Sequence, residues 1–182
     1  IRIAKKNKIK YLKGSEKNVI QRVIKTGKKF SCEKIVRITS DCPIIDPQII
    51  DLAIESYNNN KCDYLSNTII RSYPDGMDVE VFSLKTLIRS YKFANTVRSK
   101  EWTTWSIRQN PKKFKIINII APKDLKWPDL GLTLDEYRDY FFLKKIILHY
   151  KETFDFKCLD IIELLKKNKK WLNINKSVKR NV

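Results

Sequence analysis

Three acidic patches carry the residue types best suited to chemistry. Asp41 follows the apolar run KIVRIT, in Ser40-Asp41-Cys42-Pro43. Asp78 and Glu80 alternate with Val79 and Val81 in PDGMDVEVF, so both carboxylates project from one face of a strand. Asp135 follows Leu132-Thr133-Leu134 at the start of a helical pattern. Two carboxylates on separate loops at one sheet edge can hold Mg²⁺, which takes one or two carboxylates plus water and phosphate oxygens. Two like charges on one strand face repel, so Asp78 and Glu80 call for water, a cation or a hydroxylated ligand. Gly76, just before them, supplies backbone able to approach a ligand closely. Each patch also has a plainer reading: a turn residue at Asp41, a solvated edge strand at Asp78 and Glu80, and a first-turn Asp favoured by the helix dipole at Asp135.

Other chemistries find little support. The chain has one histidine, His149, and no G-x-S-x-G, which argues against a nucleophile and base pair. Neither a Walker A loop nor G-x-G-x-x-G occurs. Cys32, Cys42, Cys62 and Cys158 never reach C-x₂-C spacing, so free thiols are expected rather than a zinc site.

The elements that must position the acidic patches follow from periodicity and caps. Lys8 to Lys13 reads as a short strand. Ser15 is expected to cap a helix to about Lys29, with Val19, Ile20, Val23 and Ile24 on one face. Lys34 to Thr39 reads as a strand, and Asp46-Pro47 opens a helix. Cys62 to Thr68 and Val79 to Phe82 read as strands, the second followed by a helix capped by Ser83. Glu101 to Gln109 reads as helical, and Phe114 to Ala121 as a strand. A long aromatic helix to about Tyr150 follows Asp135, and Asp155 is the expected cap of the last one. Strand, helix and strand in this order suggest a parallel crossover and an α/β fold.

The 182 residues, 42% apolar, suit one domain, with 151–182 as terminal helix and basic tail. No apolar run approaches the ~20 residues of a membrane span, and the start lacks a signal-peptide stretch, so the expected address is cytoplasmic. The net charge of +18 invites a nucleic-acid reading. Its lysines are scattered over most elements, however, so solvated faces are the expectation, with no nucleic-acid and no membrane partner. The chain opens without Met, in what reads as the end of an element, which favours a fragment.

The ordered blocks RITSDCPIIDPQIIDLAI, DYLSNT, YPDGMDVEVFS and LTLDEYRDY resemble the spore-coat-polysaccharide type of cytidylyltransferase, related to the acylneuraminate and 3-deoxy-manno-octulosonate enzymes. The resemblance runs over nearly the whole chain. It implies a Rossmann-like, glycosyltransferase-A-type three-layer sandwich with a mostly parallel sheet. It also implies transfer of CMP from CTP to an acidic or modified sugar with release of pyrophosphate. Asp41 and Asp135 then correspond to Mg²⁺ carboxylates, Asp78 and Glu80 to the sugar-side wall, and Glu101 to an acidic substrate contact. Homodimers are common in the family. Three departures stand out. The N-terminal block that binds base and triphosphate has no counterpart, so these residues alone are expected to turn over little or no CTP. The usual Glu-His pair is Glu101-Trp102, and an expected Arg is Gly131. The rival readings are a related nucleotidyltransferase using another nucleotide and a non-catalytic basic binding protein.

Overall fold

The computed structural model describes residues 1–180. In chain order the elements are α1 (Arg2–Lys6), α2 (Val19–Lys29), β1 (Lys34–Arg37), α3 (Pro47–Asn59), β2 (Tyr64–Ser66) and β3 (Glu80–Ser83). Then come α4 (Leu84–Tyr91), α5 (Val97–Glu101), α6 (Trp105–Arg108), β4 (Ile116–Asn118), α7 (Tyr137–His149) and α8 (Cys158–Lys167). Short 3₁₀ segments cover Lys123–Leu125 and Lys169–Ile174.

The four strands form one sheet in the order β1-β3-β2-β4. Its flanking hydrogen bonds give the directions. Leu84 N–H, past the end of β3, donates to the Glu33 carbonyl before β1 (2.9 Å), and Asn67 N–H, past β2, donates to the Val79 carbonyl before β3 (3.4 Å). Strand β3 therefore runs against both neighbours. Ile119 N–H reaches the Ser66 carbonyl at 2.9 Å, and Asp63 N–H reaches the Lys115 carbonyl at 2.8 Å, so β2 and β4 run parallel. The sheet is mixed, with β3 the reversed strand. Strands β1 and β2 keep the expected parallel crossover through α3, with β3 lying between them.

The chain divides into two compact units. The first comprises Ile1–Ile35, Lys61–Tyr64 and Val81–Ile117. Its core is apolar: Ile20 and Ile24 of α2, four residues apart on one helix face, pack with Tyr64, Phe82, Leu87, Ile107 and Phe114. Tyr64 and Phe82 stack at 6.3 Å, and Phe93 meets Phe114 edge-on at 6.2 Å.

The second unit comprises Val36–Asn60, Leu65–Glu80 and Asn118–Val182. Its buried side chains include Ile49, Ala53, Met77, Val79, Leu132, Phe142, Ile146, Cys158 and Ile161. Here a buried acid joins two helices. Asp46 accepts from Gln48 N–H (2.8 Å) at the start of α3 and from Cys158 N–H (2.8 Å) at the start of α8. One carboxylate thus satisfies orphan donors at two N-termini.

Several local expectations are corrected. Lys8 to Lys13 forms no strand, and Lys8 has a left-handed φ of 54°. Asn18, not Ser15, caps α2 by accepting from Gln21 N–H, while Ser15 accepts from Asn18 N–H one turn earlier. The helical stretch at 101–109 is broken into α5 and α6, because Trp102 is extended (φ −87°, ψ 97°). Asp155 caps nothing: α8 starts at Cys158, and Asp160 accepts from Lys157 N–H (2.8 Å).

Candidate active site

The acidic patches of the second unit are assembled by backbone bonds between loops far apart in sequence. After β1, Cys42 N–H closes a turn on the Thr39 carbonyl (3.2 Å), and the Asp41 carbonyl accepts from Leu134 N–H (2.8 Å). The Asp41 loop and the Asp135 loop are therefore tied together one residue from Asp135. The third loop joins the same assembly. Asp75 N–H donates to the Leu130 carbonyl (2.9 Å), and Leu132 N–H donates to the Asp75 carbonyl (2.6 Å), a parallel bridge between Asp75 and Gly131.

Gly76 makes that bridge possible. Its φ is +107°, and a Cβ there would lie 2.7 Å from the Leu132 carbonyl carbon and oxygen. The close approach that Gly76 serves is to the protein's own backbone. Asn67 holds the next stretch: its buried amide donates to the Met77 carbonyl (2.6 Å) and accepts from Val79 N–H (2.9 Å).

The two strand carboxylates are neutralised internally. Glu80 is buried and pairs with Arg37, two residues before the end of KIVRIT. Asp78 lies against Arg71, with Nη1 3.3 Å from Oδ1 and Nη2 3.2 Å from Oδ2, and Arg71 also reaches Asp75 at 3.1 Å. The cations that relieve the like-charge repulsion are guanidinium groups.

Asp135 is held differently. Its side chain is 46% exposed. Among the described residues its contacts run through Oδ2, to Thr133 Oγ1 (2.7 Å) and Arg180 Nη1 (3.2 Å). The helix-start duty falls on Asp139. That fully buried carboxylate accepts from the N–H groups of Asp135 (3.2 Å) and Glu136 (2.9 Å), from Asn175 Nδ2 (2.9 Å) and from Arg180 Nη2 (2.6 Å). Asp135 is thereby relieved of capping α7.

Electrostatics links the patches. Burial pushes the Asp75 carboxyl above its usual range. Arg71 and Arg180 pull it back down, and the charges of Asp135 and Asp41 raise it further. Burial likewise raises Asp78, opposed by Arg71 and reinforced by Asp75. Burial would raise Asp139 too, but its bonds from Asn175, Arg180 and Glu136 hold it below the usual range. Cys42, pushed up to about 12 by burial, feels both Asp78 and Asp41. A thiol in that state is inert. Asp41, Asp75, Asp78 and Asp135 thus share one acidic neighbourhood.

Glu101 belongs to the first unit, exposed at the end of α5. Beside it, Arg98 lies over the rings of Trp102 (5.5 Å) and Trp105 (5.2 Å). Pattern reading missed Arg37, Arg71, Asp75, Asp139 and Arg180. Arg71 and Asp75 stand four apart in RSYPDG, a spacing that could have suggested the pair. Nothing local marks Arg180 as the partner of a residue 41 positions earlier.

The sheet is thus mixed, with acidic loops gathered after β1 and before β3. The family model for cytidylyltransferases matches residues 3–178. This chain belongs to that family, and it is a nucleotidyltransferase of the CTP-using kind. It is 31% identical to a solved cytidylyltransferase from Leptospira borgpetersenii serovar Hardjo-bovis, with a TM-score of 0.90 over 98% of this chain and 74% of that one. It is 33% identical over 177 residues to an uncharacterised protein of Methanocaldococcus jannaschii, covering 94% of this chain and 69% of that protein. It is 29% identical over 164 residues to the spore coat polysaccharide biosynthesis protein SpsF of Bacillus subtilis, covering 90% and 67%. Among the described residues no helix is long and apolar enough to cross a membrane.

Proposed function

We propose that the protein serves surface-polysaccharide or glycan biosynthesis by transferring CMP from CTP to a sugar hydroxyl, giving a CMP-sugar and pyrophosphate. The observation that carries this reading is the bond between the Asp41 and Leu134 backbones, which sets the Asp41 and Asp135 loops side by side in a cytidylyltransferase. The likeness to SpsF supports the polysaccharide setting.

The residues suit Mg²⁺. Among the described residues no group of three or more His, Cys, Asp and Glu side chains could hold a metal by itself. Two hard carboxylates with the remaining sites left to water and phosphate oxygens is the pattern Mg²⁺ favours. Asp41 and Asp135 would hold the ion. When bound, it would neutralise charge developing on the α-phosphate and on the pyrophosphate leaving group.

The chain's own groups then do the positioning. The hydroxyl oxygen of the sugar attacks phosphorus in line with the leaving oxygen, so placement dominates the rate. Asp78, though paired with Arg71, is about a quarter exposed and can accept from a sugar hydroxyl, while Glu80, buried against Arg37, would back that sugar-side wall. Their guanidinium partners fix the carboxylate planes. The sugar class that fits is acidic or modified: a nonulosonic acid or a substituted hexose.

The test is pyrophosphate release by the full-length protein from CTP across a panel of such sugars, with Mg²⁺ present and then chelated. Release that depends on CTP, on one sugar and on Mg²⁺ supports the reading. Equal release with ATP or UTP, or release indifferent to chelation, would count against it.

A further inference from the structure

A cavity lies in the second unit, between the 127–131 turn and the segment 169–180. It has a volume of about 380 Å³. Three cations line it, Lys169, Lys176 and Arg180, against one carboxylate, Asp129, and the amides of Asn173 and Asn175 complete its polar wall. Among the described residues neither lysine is paired with a carboxylate. Arg180 is paired with Asp139 and Asp135, and Asn175 Nδ2 is committed to the Gly131 carbonyl and Asp139. It is therefore the two lysines, against the single Asp129, that leave a concave, net positive surface suited to an oxyanion.

Arg180 is the built part of this wall. Its side chain is only 15% exposed, and the guanidinium is held by the buried Asp139 and by Thr133 Oγ1 (2.6 Å). Its seat exists because residue 131 has no side chain: a Cβ on Gly131 would lie 2.3 Å from Arg180 Nη2 and 2.5 Å from Cζ. The same guanidinium meets Asp135 Oδ2 at 3.2 Å. It therefore stands between the cavity and a carboxylate of the acidic neighbourhood.

We propose that this cavity is an anion site, taking a compact phosphoryl or carboxylate group between Lys169, Lys176 and Arg180. An oxyanion there competes with Asp135 for Arg180, so filling the cavity weakens the hold of Arg180 on Asp135. The site is defined by its own residues and does not depend on which sugar the enzyme uses.

The experiment is isothermal titration of the whole chain with inorganic phosphate and, separately, acetate, at constant ionic strength. Wild type is expected to bind at least one of them saturably, and the preferred anion tells a phosphoryl site from a carboxylate site. Lys169→Gln with Lys176→Gln should weaken binding roughly tenfold or more, because charge-assisted hydrogen bonds are lost. Gly131→Ala should weaken it too, by displacing the end of a flexible side chain. Asp135→Asn should leave binding intact or tighten it, since it releases Arg180. Thermal unfolding of each variant checks that it folds. No saturable binding of either anion, or equal binding by the folded double-lysine variant, would overturn the proposal, whether or not CTP turnover is found.

Discussion

Glu80 and Asp135 are both acidic residues in loops or strands of one unit, and they are held in opposite ways. Glu80 is buried on a strand and locked to Arg37, so its charge is spent within the fold. Asp135 is nearly half exposed, sits on a loop, and is spared helix-capping work by Asp139. Asp78, clamped by Arg71, resembles Glu80; Asp41, whose loop is tied to Leu134 by backbone alone, resembles Asp135. Asp135 also meets an arginine, Arg180, but through Oδ2 and with nearly half of its side chain exposed. The difference thus separates acids enclosed against a guanidinium from acids that remain open to a ligand. Removing the first kind should cost stability, and removing the second should cost turnover.

The largest effect is expected for the open pair. In the full-length protein, Asp41→Asn and Asp135→Asn should each reduce CTP turnover by roughly 1000-fold, about 4 kcal/mol of transition-state stabilisation. The unfolding midpoint in urea should barely move. A clear loss of stability, or near-normal turnover, would erase the distinction for that residue.

Gly76→Ala tests what brings the two kinds together. The new Cβ meets Leu132 backbone, which cannot swing aside as a side chain can, and φ is positive. A loss of about 3 kcal/mol in urea unfolding is expected. Stability within a few tenths of wild type would show that the bridge between Asp75 and Gly131 yields cheaply.

For the locked pair, Glu80→Ala should cost about 2 kcal/mol. That is below the usual figure for a broken buried pair, because the Arg37 side chain is about a third exposed and rehydrates. Replacing both by apolar residues, Arg37→Met with Glu80→Leu, should recover most of that loss. If the single variant were neutral, the pair would be a surface ion pair in energetic terms.

How far this division can be read from sequence depends on range. Periods of 3.6 and caps within four residues expose α2, α3, α4 and α7, because those signals are local. The reversed strand β3 cannot be read that way: direction is set by which neighbour it bonds, and VEVFS looks the same either way. The expected strand at Lys8 to Lys13 fails for a related reason. A strand needs a partner to receive its hydrogen bonds, and a short apolar alternation does not supply one. In the acidic neighbourhood, Asp41, Asp78, Glu80 and Asp135 stand out by type and motif. Their partners do not, since Arg37 meets Glu80 across 43 positions and Arg180 meets Asp139 across 41. Pattern finds the acids, and only the fold tells which are already neutralised.

The smallest effect concerns pH, and its sign differs between groups. Asp75 and Asp78 have raised values in the folded protein, so the folded state binds their protons more tightly than the unfolded chain does. Their contribution grows as pH falls through the raised values towards the ordinary Asp value of about 4. Asp139 has a lowered value, so its contribution is complete above about 4 and is lost as pH falls further, through its folded value. Urea unfolding between about pH 4 and 7 should therefore show a modest gain in stability on acidification, before acid unfolding sets in. Asp75→Asn should flatten that gain and raise stability at neutral pH, because a buried charge among other carboxylates is removed. An unchanged pH slope in Asp75→Asn would mean that Arg71 and Arg180 already neutralise it, and would place Asp75 with Glu80 among the locked acids.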